Sequence, residues 1–484
     1  MAIPVLNIEQ IRAWENATWE SGISQEDVIK KAGAMVAYYA EKMTSPCSLI
    51  LGIGGKGHNG DDTEQAINQI KNNSADFIRI SDPIRGIEDL KSLPVQKYSL
   101  IIDGLFGIGL NRPLDEKWSK LIDFINELRI PILSVDIPSG VNADTGEIMG
   151  RAISATATVT LGAVKQGLLN VEAAKYVGRL YVAPEIGLKQ VEHISTIWYT
   201  SKDDFCGFPP SRNVVSHKGT YGHLVIIAGS VGYHGAAVIA AKAAQQSQPG
   251  LITLITLADS YIPVASQLSA VMVHPWRPSL ELPENTTGIV IGPGLASSEI
   301  PPGLVDFVVK LWDQFPGPVC VDASALDWLP EKSISSKAPR IITPHPGEAA
   351  RMLKTTTQKV LSNRFETVRS LSKRFGNTWV VLKGHQSLIG NFNGNIYVNS
   401  TGNPWLAQGG AGDALAGFLG GLIAQPQLQS DILKTIRYAV WKHGLTADYM
   451  QSIKTGWTIE ELTQHLGKKF TDNEFAIYQN RMDN

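Results

Sequence analysis

The chain has 484 residues, with 43 Lys plus Arg against 45 Asp plus Glu and a formal net charge of −2. That balance argues against a basic nucleic-acid surface and against an acidic solvating tail. With 43% hydrophobic and 18% charged residues the composition is globular, not disordered.

Cys47, Cys206 and Cys320 are isolated, so neither a disulfide framework nor a thiolate metal site is expected. No signal-type opening and no 18-residue uncharged apolar window stands in the sequence. The expectation is a cytoplasmic protein in a reducing compartment, without a membrane span.

In chain order, Ile8 to Lys42 reads as helical from the spacing of Ile11, Trp14, Val28, Ala32 and Val36. The run Ser48 to Leu51 reads as a buried strand, Asp62 to Asn72 as a helix, and Phe77 to Ile80 as a strand. Leu100 to Asp103 and Ile132 to Asp136 read as strands that each end in an acid, with a helix Trp118 to Leu128 between them. Thr156 to Leu161 and Gly178 to Val182 complete this half. Lys189 to Ser216 loses periodicity and carries Pro209-Pro210, which places a boundary between domains 1–205 and 206–484.

The alternation then restarts. Strands are expected at Leu224 to Ala228, Leu251 to Leu257, Gly288 to Ile291, Pro318 to Asp322 and Trp379 to Lys383, with an edge element at Ile396 to Val398. Helices are expected at Gly235 to Ser247, Asp413 to Ala424, Asp431 to Met450 and Thr458 to Leu466. Strands alternating with helices imply an α/β fold with parallel sheets, whose ligands sit beyond the carboxyl ends of the strands.

Three loops lie at such ends in the first half: Gly54 to Asp62, Asp103 to Gly109 and Asp136 to Gly140. Asn59 can offer a carbonyl oxygen to a cation or an amide to a phosphate. The strand-end acids Asp103 and Asp136 can be a metal pair, a base, or caps of the following turns. In the second half the sharpest signal is Thr401-Gly402-Asn403-Pro404 followed by Gln408-Gly409-Gly410-Ala411-Gly412-Asp413. A glycine turn that opens a helix aims free N–H groups at one point and suits an anion. A carboxylate in such a turn makes sense as a proton acceptor beside phosphates; the competing reading is that Asp413 caps its helix. Lys383-Gly384-His385 and Thr343-Pro344-His345-Pro346-Gly347-Glu348 are weaker polar turns at strand ends.

The order of these segments resembles the ribokinase-like superfamily, and most closely the ADP- or ATP-dependent NAD(P)H-hydrate dehydratases. Residues 213 to 475 carry that family's HKG, AGS…GAA, GPGL, TPHPGE, KG and GNP…GGxGD segments in order. The resemblance implies a ribokinase-like three-layer sandwich. It implies that Asp413 is the catalytic base and that Lys383, Gly384, His385, Gln386, Ser387, Gly409, Gly410 and Gly412 hold ADP or ATP with Mg²⁺. Ala237, Gly294, His345 and Asp413 would line the hydrate. The implied reaction phosphorylates the ring hydroxyl of hydrated NADH or NADPH and eliminates phosphate.

Residues 1 to 200 resemble the NAD(P)H-hydrate epimerases, whose hallmark loop is matched at Gly55, Gly57, Asn59, Gly60 and Asp62. The resemblance implies a Rossmann-like three-layer sandwich, with K⁺ on Asn59, Asp103 and Ser139, and Asp136 as the acid/base residue. Asn59, Gly60, Asp62, Gly107, Gly109, Asp136 and Lys165 would contact the substrate. His58, Asp61 and Thr63 depart from the family loop, and the Asp61 carboxylate is expected beside the diphosphate. The alternatives are a dehydratase with a degenerate first domain, or a ribokinase-like kinase of another small molecule. A homo-oligomer with a small-molecule substrate, and with no nucleic-acid or membrane partner, is expected.

Overall fold

The computed structural model describes residues 2–191, 195–332 and 334–470. Two compact units divide the chain between Ile197 and Trp198. Both are α/β with parallel sheets, the class the alternation implies.

In the first unit the strand order is Ser74–Arg79, Leu49–Gly54, Tyr98–Gly104, Ile132–Val135, Ala157–Leu161 and Arg179–Ala183, all parallel. Successive strand residues point to opposite faces, and each face has its own core. Ile50, Leu100, Ile102, Leu133 and Val135 pack with Val28, Ala32 and Val36 of helix Gln25–Lys42. Leu51, Ile53 and Ile101 pack with Leu90 of helix Pro83–Ser92 and with Leu121, Ile122 and Ile125 of helix Glu116–Glu127. This is the expected three-layer sandwich. A short strand, Ile3–Leu6, pairs in parallel with Val164–Lys165.

The long helix expected over Ile8 to Lys42 is two helices, Ile8–Glu20 and Gln25–Lys42. Gly22 between them has φ +86°, which an L side chain resists. The helix expected from Asp62 begins at His58 and runs to Gln69. Its first turn is His-Asn-Gly-Asp, weak helix formers that hide it in the sequence.

In the second unit the strand order is Met272–Pro275, Leu251–Thr256, His223–Ile227, Gly288–Ile291, Val319–Val321, Arg340–Ile342, Trp379–Leu382, Leu388–Gly390 and Ile396–Val398. Only the last two additions are antiparallel. Leu224, Ile226, Val290, Cys320 and Val381 face the helices His234–Gln246, Ala411–Ile423 and Ile432–Ile453. Helices His234–Gln246 and Ala411–Ile423 touch backbone to backbone, because a Cβ on Gly417 would stand 2.0 Å from the Ala240 carbonyl oxygen. Lys202–Phe205 packs within this unit, with Asp204 paired to Arg437 and Phe205 5.0 Å from the Trp441 ring. No described helix is long and apolar enough to cross a membrane.

Candidate active sites

Each sheet has a point where the strand order reverses, and crevices form there beyond the carboxyl ends. In the first unit it lies between Leu49–Gly54 and Tyr98–Gly104. The turns that follow meet without side chains, since a Cβ on Gly55 would stand 2.0 Å from the Leu105 carbonyl oxygen and one on Gly60 2.2 Å from that of Gly55. They open into a cleft of about 1080 Å³. Its walls include Gly55 to Asn59, Asp62, Phe106 to Pro113, Asp136 and Lys165. The cleft thus gathers Asn59, Asp62, Gly107, Gly109, Asp136 and Lys165, and Gly60 shapes it from behind.

Asp136 directly follows strand Ile132–Val135 with φ +64°, a strained backbone of the kind found at functional sites. Its Oδ1 accepts from Lys165 Nζ and from the Leu161 N–H at 2.9 Å. Lys165 Nζ also donates to the Leu161 carbonyl at 2.7 Å. Asp62 is pushed well above the usual carboxylate range by burial, then by the charges of Asp136 and Asp61. Glu15 is raised as well, by burial and then by Asp136. Glu15 is a cleft residue that the sequence reading misses, because it sits 121 positions before Asp136 on a surface helix.

Asp103 is buried and accepts from Ser139 Oγ at 2.6 Å, Ser134 Oγ at 2.9 Å, Ser139 N at 3.0 Å and Leu105 N at 3.2 Å. Burial still raises it above an ordinary aspartate, against the pull of those donors. Asn59 Nδ2 donates to the Phe106 carbonyl at 2.9 Å, and Ser139 Oγ lies 3.4 Å from the same oxygen. Asn59, Asp103 and Ser139 therefore meet around one turn.

The departures from the family loop fall differently from the expectation. Asp61 does not line the cleft; it faces outward, 3.0 Å from Arg79 Nη1. Helical geometry separates it from Asp62 by about 100°, which a loop reading of this segment conceals. Thr63 is fully buried, donates to the Asn59 carbonyl at 2.8 Å, and fills the space that Gly104 leaves.

In the second unit the order reverses between His223–Ile227 and Gly288–Ile291. The two following turns are stitched by Gly229 N to the Pro293 carbonyl at 2.9 Å and Ser230 Oγ to the Gly294 carbonyl at 2.7 Å. Gly294 has φ +67° and leaves no room for a Cβ beside the Tyr233 carbonyl, 2.4 Å away. Ala237, expected to line the hydrate, is instead fully buried in the helix–sheet core against Gly229 and presents no exposed surface.

Helix Ala411–Ile423 opens from Gly410, the N-cap, at φ +94° and without a side-chain capping bond. Asp413 is the third helical residue, and its carboxylate is not the cap. Beneath the turn, Lys383 Nζ sits 2.6 Å from Asp322 Oδ1 and 3.9 Å from Glu348 Oε2. Thr343 Oγ1 fixes the same Asp322 oxygen at 2.7 Å. A Cβ on Gly412 would stand 3.3 Å from Lys383 Nζ and 3.6 Å from Asp322 Oδ2. Burial works against the Lys383 ammonium, but Asp322 and Glu348 more than offset it. Asp413 is pushed up to about 6, first by burial and then by Asp322, with Lys383 opposing and Glu348 adding. An aspartate so poised is half-ionised near pH 6, is largely ionised at neutrality and can accept a proton.

Asp322 and Glu348 are the residues the sequence reading did not assign. Each stood inside a segment it singled out, but neither segment reveals that both acids converge on Lys383. His345 caps helix Pro346–Leu353, with Nδ1 accepting from Gly347 N at 3.0 Å, and its side chain is half-exposed. Gly384 has φ +144° with open space where a Cβ would be, and Gln386 has φ +51°. Ser387 Oγ donates to the Gly384 carbonyl at 3.1 Å, and Gly409 has open space where a Cβ would be. Burial lowers the His385 ring, with the Arg364 charge adding to it.

The fold and site of the second unit define a ribokinase-like class: a parallel sheet, a glycine turn opening a helix, and in its first turn an acid that caps nothing and has no ion-pair partner among the described residues. Residues 224–471 match the family described as NAD(P)H-hydrate dehydratase, and residues 61–167 match the YjeF-related protein N-terminus. The chain belongs to the bifunctional NAD(P)H-hydrate repair enzyme family, as its motifs imply. It is similar to the bifunctional NAD(P)H-hydrate repair enzyme Nnr of Coxiella burnetii, 32% identical over 91% of this chain and 93% of the relative. It is also similar to the Nnr of Gloeobacter violaceus, 30% identical over 96% and 97%. Among solved structures it is similar to the ADP/ATP-dependent NAD(P)H-hydrate dehydratase of Bacillus subtilis co-crystallized with ATP/Mg²⁺. That match has 31% identity and a TM-score of 0.47, over 53% of this chain and 91% of that one.

Proposed function

We propose that the chain restores hydrated NADH and NADPH at two separate sites. The first unit interconverts the R and S hydrates, and the second dehydrates the S hydrate at the expense of ADP or ATP. The observation that carries the reading is Asp413, in the first turn of a helix entered through a left-handed glycine, uncommitted to capping and raised to about 6.

Hydroxide is a poor leaving group and phosphate a good one. Asp413 accepts the proton of the ring C6 hydroxyl as its oxygen attacks the terminal phosphorus of the nucleotide. AMP leaves if the donor is ADP, or ADP if it is ATP. The C6–O bond of the resulting phosphoester then breaks, phosphate departs with the bonding pair, a C5 proton is released to phosphate or solvent, and the C5=C6 bond of the reduced nicotinamide ring is restored. The loop Lys383 to Ser387 and the turn Gly409, Gly410 and Gly412 hold the nucleotide, with Gly294 and His345 left for the hydrate. Three carboxylates against one ammonium make this end acidic. That suits a polyanion which brings its own Mg²⁺ to screen it, and the ion would neutralise charge on the transferring group.

In the first unit Asp136, held by Lys165, exchanges protons with the hydrate, and Gly107 to Pro113 cover its phosphates. The Asp61 carboxylate is turned away from the cleft toward Arg79, which it shares with Glu64, and that orientation favours a working epimerase over a degenerate domain. Asn59, Asp103 and Ser139 would hold K⁺. The donors are all oxygens, and Asp103 is a buried carboxylate with no cationic partner among the described residues, so the set fits a hard monovalent cation. Bound there, the ion would fix the turn after Asp103 against the substrate phosphates. We read the protein as cytoplasmic, without nucleic-acid or membrane partners. We also read it as a homo-oligomer, since the strand Met272–Pro275 leaves a sheet edge in the second unit.

The test is turnover of resolved R and S hydrates with ADP or ATP by the full chain. Loss of S hydrate with matching gain of NADH supports the reading. A stable phosphorylated product without NADH points instead to a small-molecule kinase.

A further inference from the structure

Arg364 is buried, 8% exposed, and no mechanism step above uses it. It is the first residue of helix Arg364–Arg374, the end where the helix dipole disfavours a cation. Among the described residues no carboxylate pairs with it. Its partners are two backbone carbonyls, those of His385 and Gln386, both 2.7 Å from Nη2. A buried charge without a counter-ion is costly, and burial lowers even this guanidinium to about 10. The carbonyls it grips belong to a turn held in an unusual shape, with Gly384 at φ +144° and Gln386 at φ +51°. Its field reaches that turn, since it adds to the lowering of the His385 ring.

We propose that Arg364 is a positioning residue for the nucleotide: it pins the 383–387 turn by the His385 and Gln386 carbonyls and supplies, from behind, positive potential that the bound nucleotide's phosphates complete. The inference rests on the reading that this turn holds the nucleotide. It explains why a cation sits in a place that offers it no acid: the missing counter-charge is the ligand's. Lysine replaces it only in part, because its strongly hydrated ammonium is costlier to bury than the delocalised guanidinium.

The experiment compares Arg364→Met and Arg364→Lys with the unaltered protein, all as full chains. Calorimetry gives the ADP and ATP dissociation constants, and kinetics on S hydrate give KM and kcat, with thermal unfolding in parallel. Arg364→Met is expected to raise the nucleotide Kd and KM by roughly tenfold or more, the size of one lost charge-assisted interaction. Arg364→Lys should fall between the two. The kcat at saturating nucleotide and the KM for hydrate should stay within about threefold, a split that general loosening of the fold would not give. A folded Arg364→Met with unaltered nucleotide affinity overturns the assignment. If that variant does not fold, Arg364→Lys with unaltered nucleotide affinity overturns it instead. If the unaltered protein binds neither ADP nor ATP, the nucleotide reading itself fails, and this inference with it.

Discussion

The two sites answer one problem, an anionic dinucleotide at the reversal point of a parallel sheet, with opposite arrangements of charge. In the first, the candidate acid/base Asp136 is itself the partner of a buried lysine, Lys165. In the second, the lysine is committed elsewhere: Lys383 pairs with Asp322, and among the described residues Asp413 has no ion-pair partner of its own, though Lys383, Asp322 and Glu348 all act on its charge. The Lys165 ammonium fixes the position of the Asp136 carboxylate. A carboxylate without such a partner, crowded by other acids, holds its proton more tightly and becomes a base near neutral pH. Similar frames thus carry different chemistry because the lysine sits on a different acid.

The contrast breaks most sharply at Asp413. Asp413→Asn is expected to lower S-hydrate dehydration by roughly 10²–10⁴-fold, the usual contribution of a general base, and to leave R/S exchange intact. The same change should stabilise the second unit. Asp413 titrates above its unfolded value, so the associated stability is full below the unfolded pKa and is lost as pH rises through about 6. A neutral amide removes that loss, and at pH 7 the gain is on the order of 1–3 kcal/mol. A drop in melting temperature at pH 7 would contradict this account of the site's electrostatics.

Next in size is Asp136→Asn, which should slow enzymatic exchange by roughly 10²-fold or more with S-hydrate turnover unaltered. Chirally resolved chromatography reads both rates, and an unchanged exchange rate removes the assignment. Smaller is a pH shift. Dehydration requires ionised Asp413, so its rate should rise with pH through about 6. Asp322→Asn removes a neighbouring negative charge and frees Lys383 to face Asp413. Both effects favour the ionised form, and the acid limb of the profile should move down by about one unit. A limb that stays in place or moves up contradicts the pairing. Smallest is Asp61→Asn. Its carboxylate faces Arg79 at the surface, where an ion pair contributes about 0–1 kcal/mol, and R/S exchange should stay within about twofold. A clear gain in substrate affinity would instead put that charge beside the diphosphate.

Much of this is legible in the sequence, for local reasons. Strand-end acids such as Asp103 and Asp136, and the glycine turn before Asp413, are written in contiguous residues whose spacing dictates their geometry. What the sequence hides is pairing across distance. Asp322 and Lys383 are 61 positions apart, and nothing in either segment says that the lysine will be spent on that acid. Arg364 reads as one charge among several on an amphipathic helix until its burial is seen. Asp61 and Asp62 look equivalent in a loop, and only the helical turn beginning at His58 sends one to Arg79 and the other into the cleft.

The most direct test mixes two inactive halves of one activity. Full-length Asp413→Asn and Asp136→Asn proteins are given pure R hydrate with nucleotide, separately and together, and NADH formation is followed above the spontaneous exchange rate. Independent sites predict that neither variant alone forms NADH at the enzymatic rate and that the mixture does, because the S hydrate made by one diffuses to the other. A mixture as inactive as its parts, or Asp136→Asn converting R hydrate alone, would contradict the division of labour.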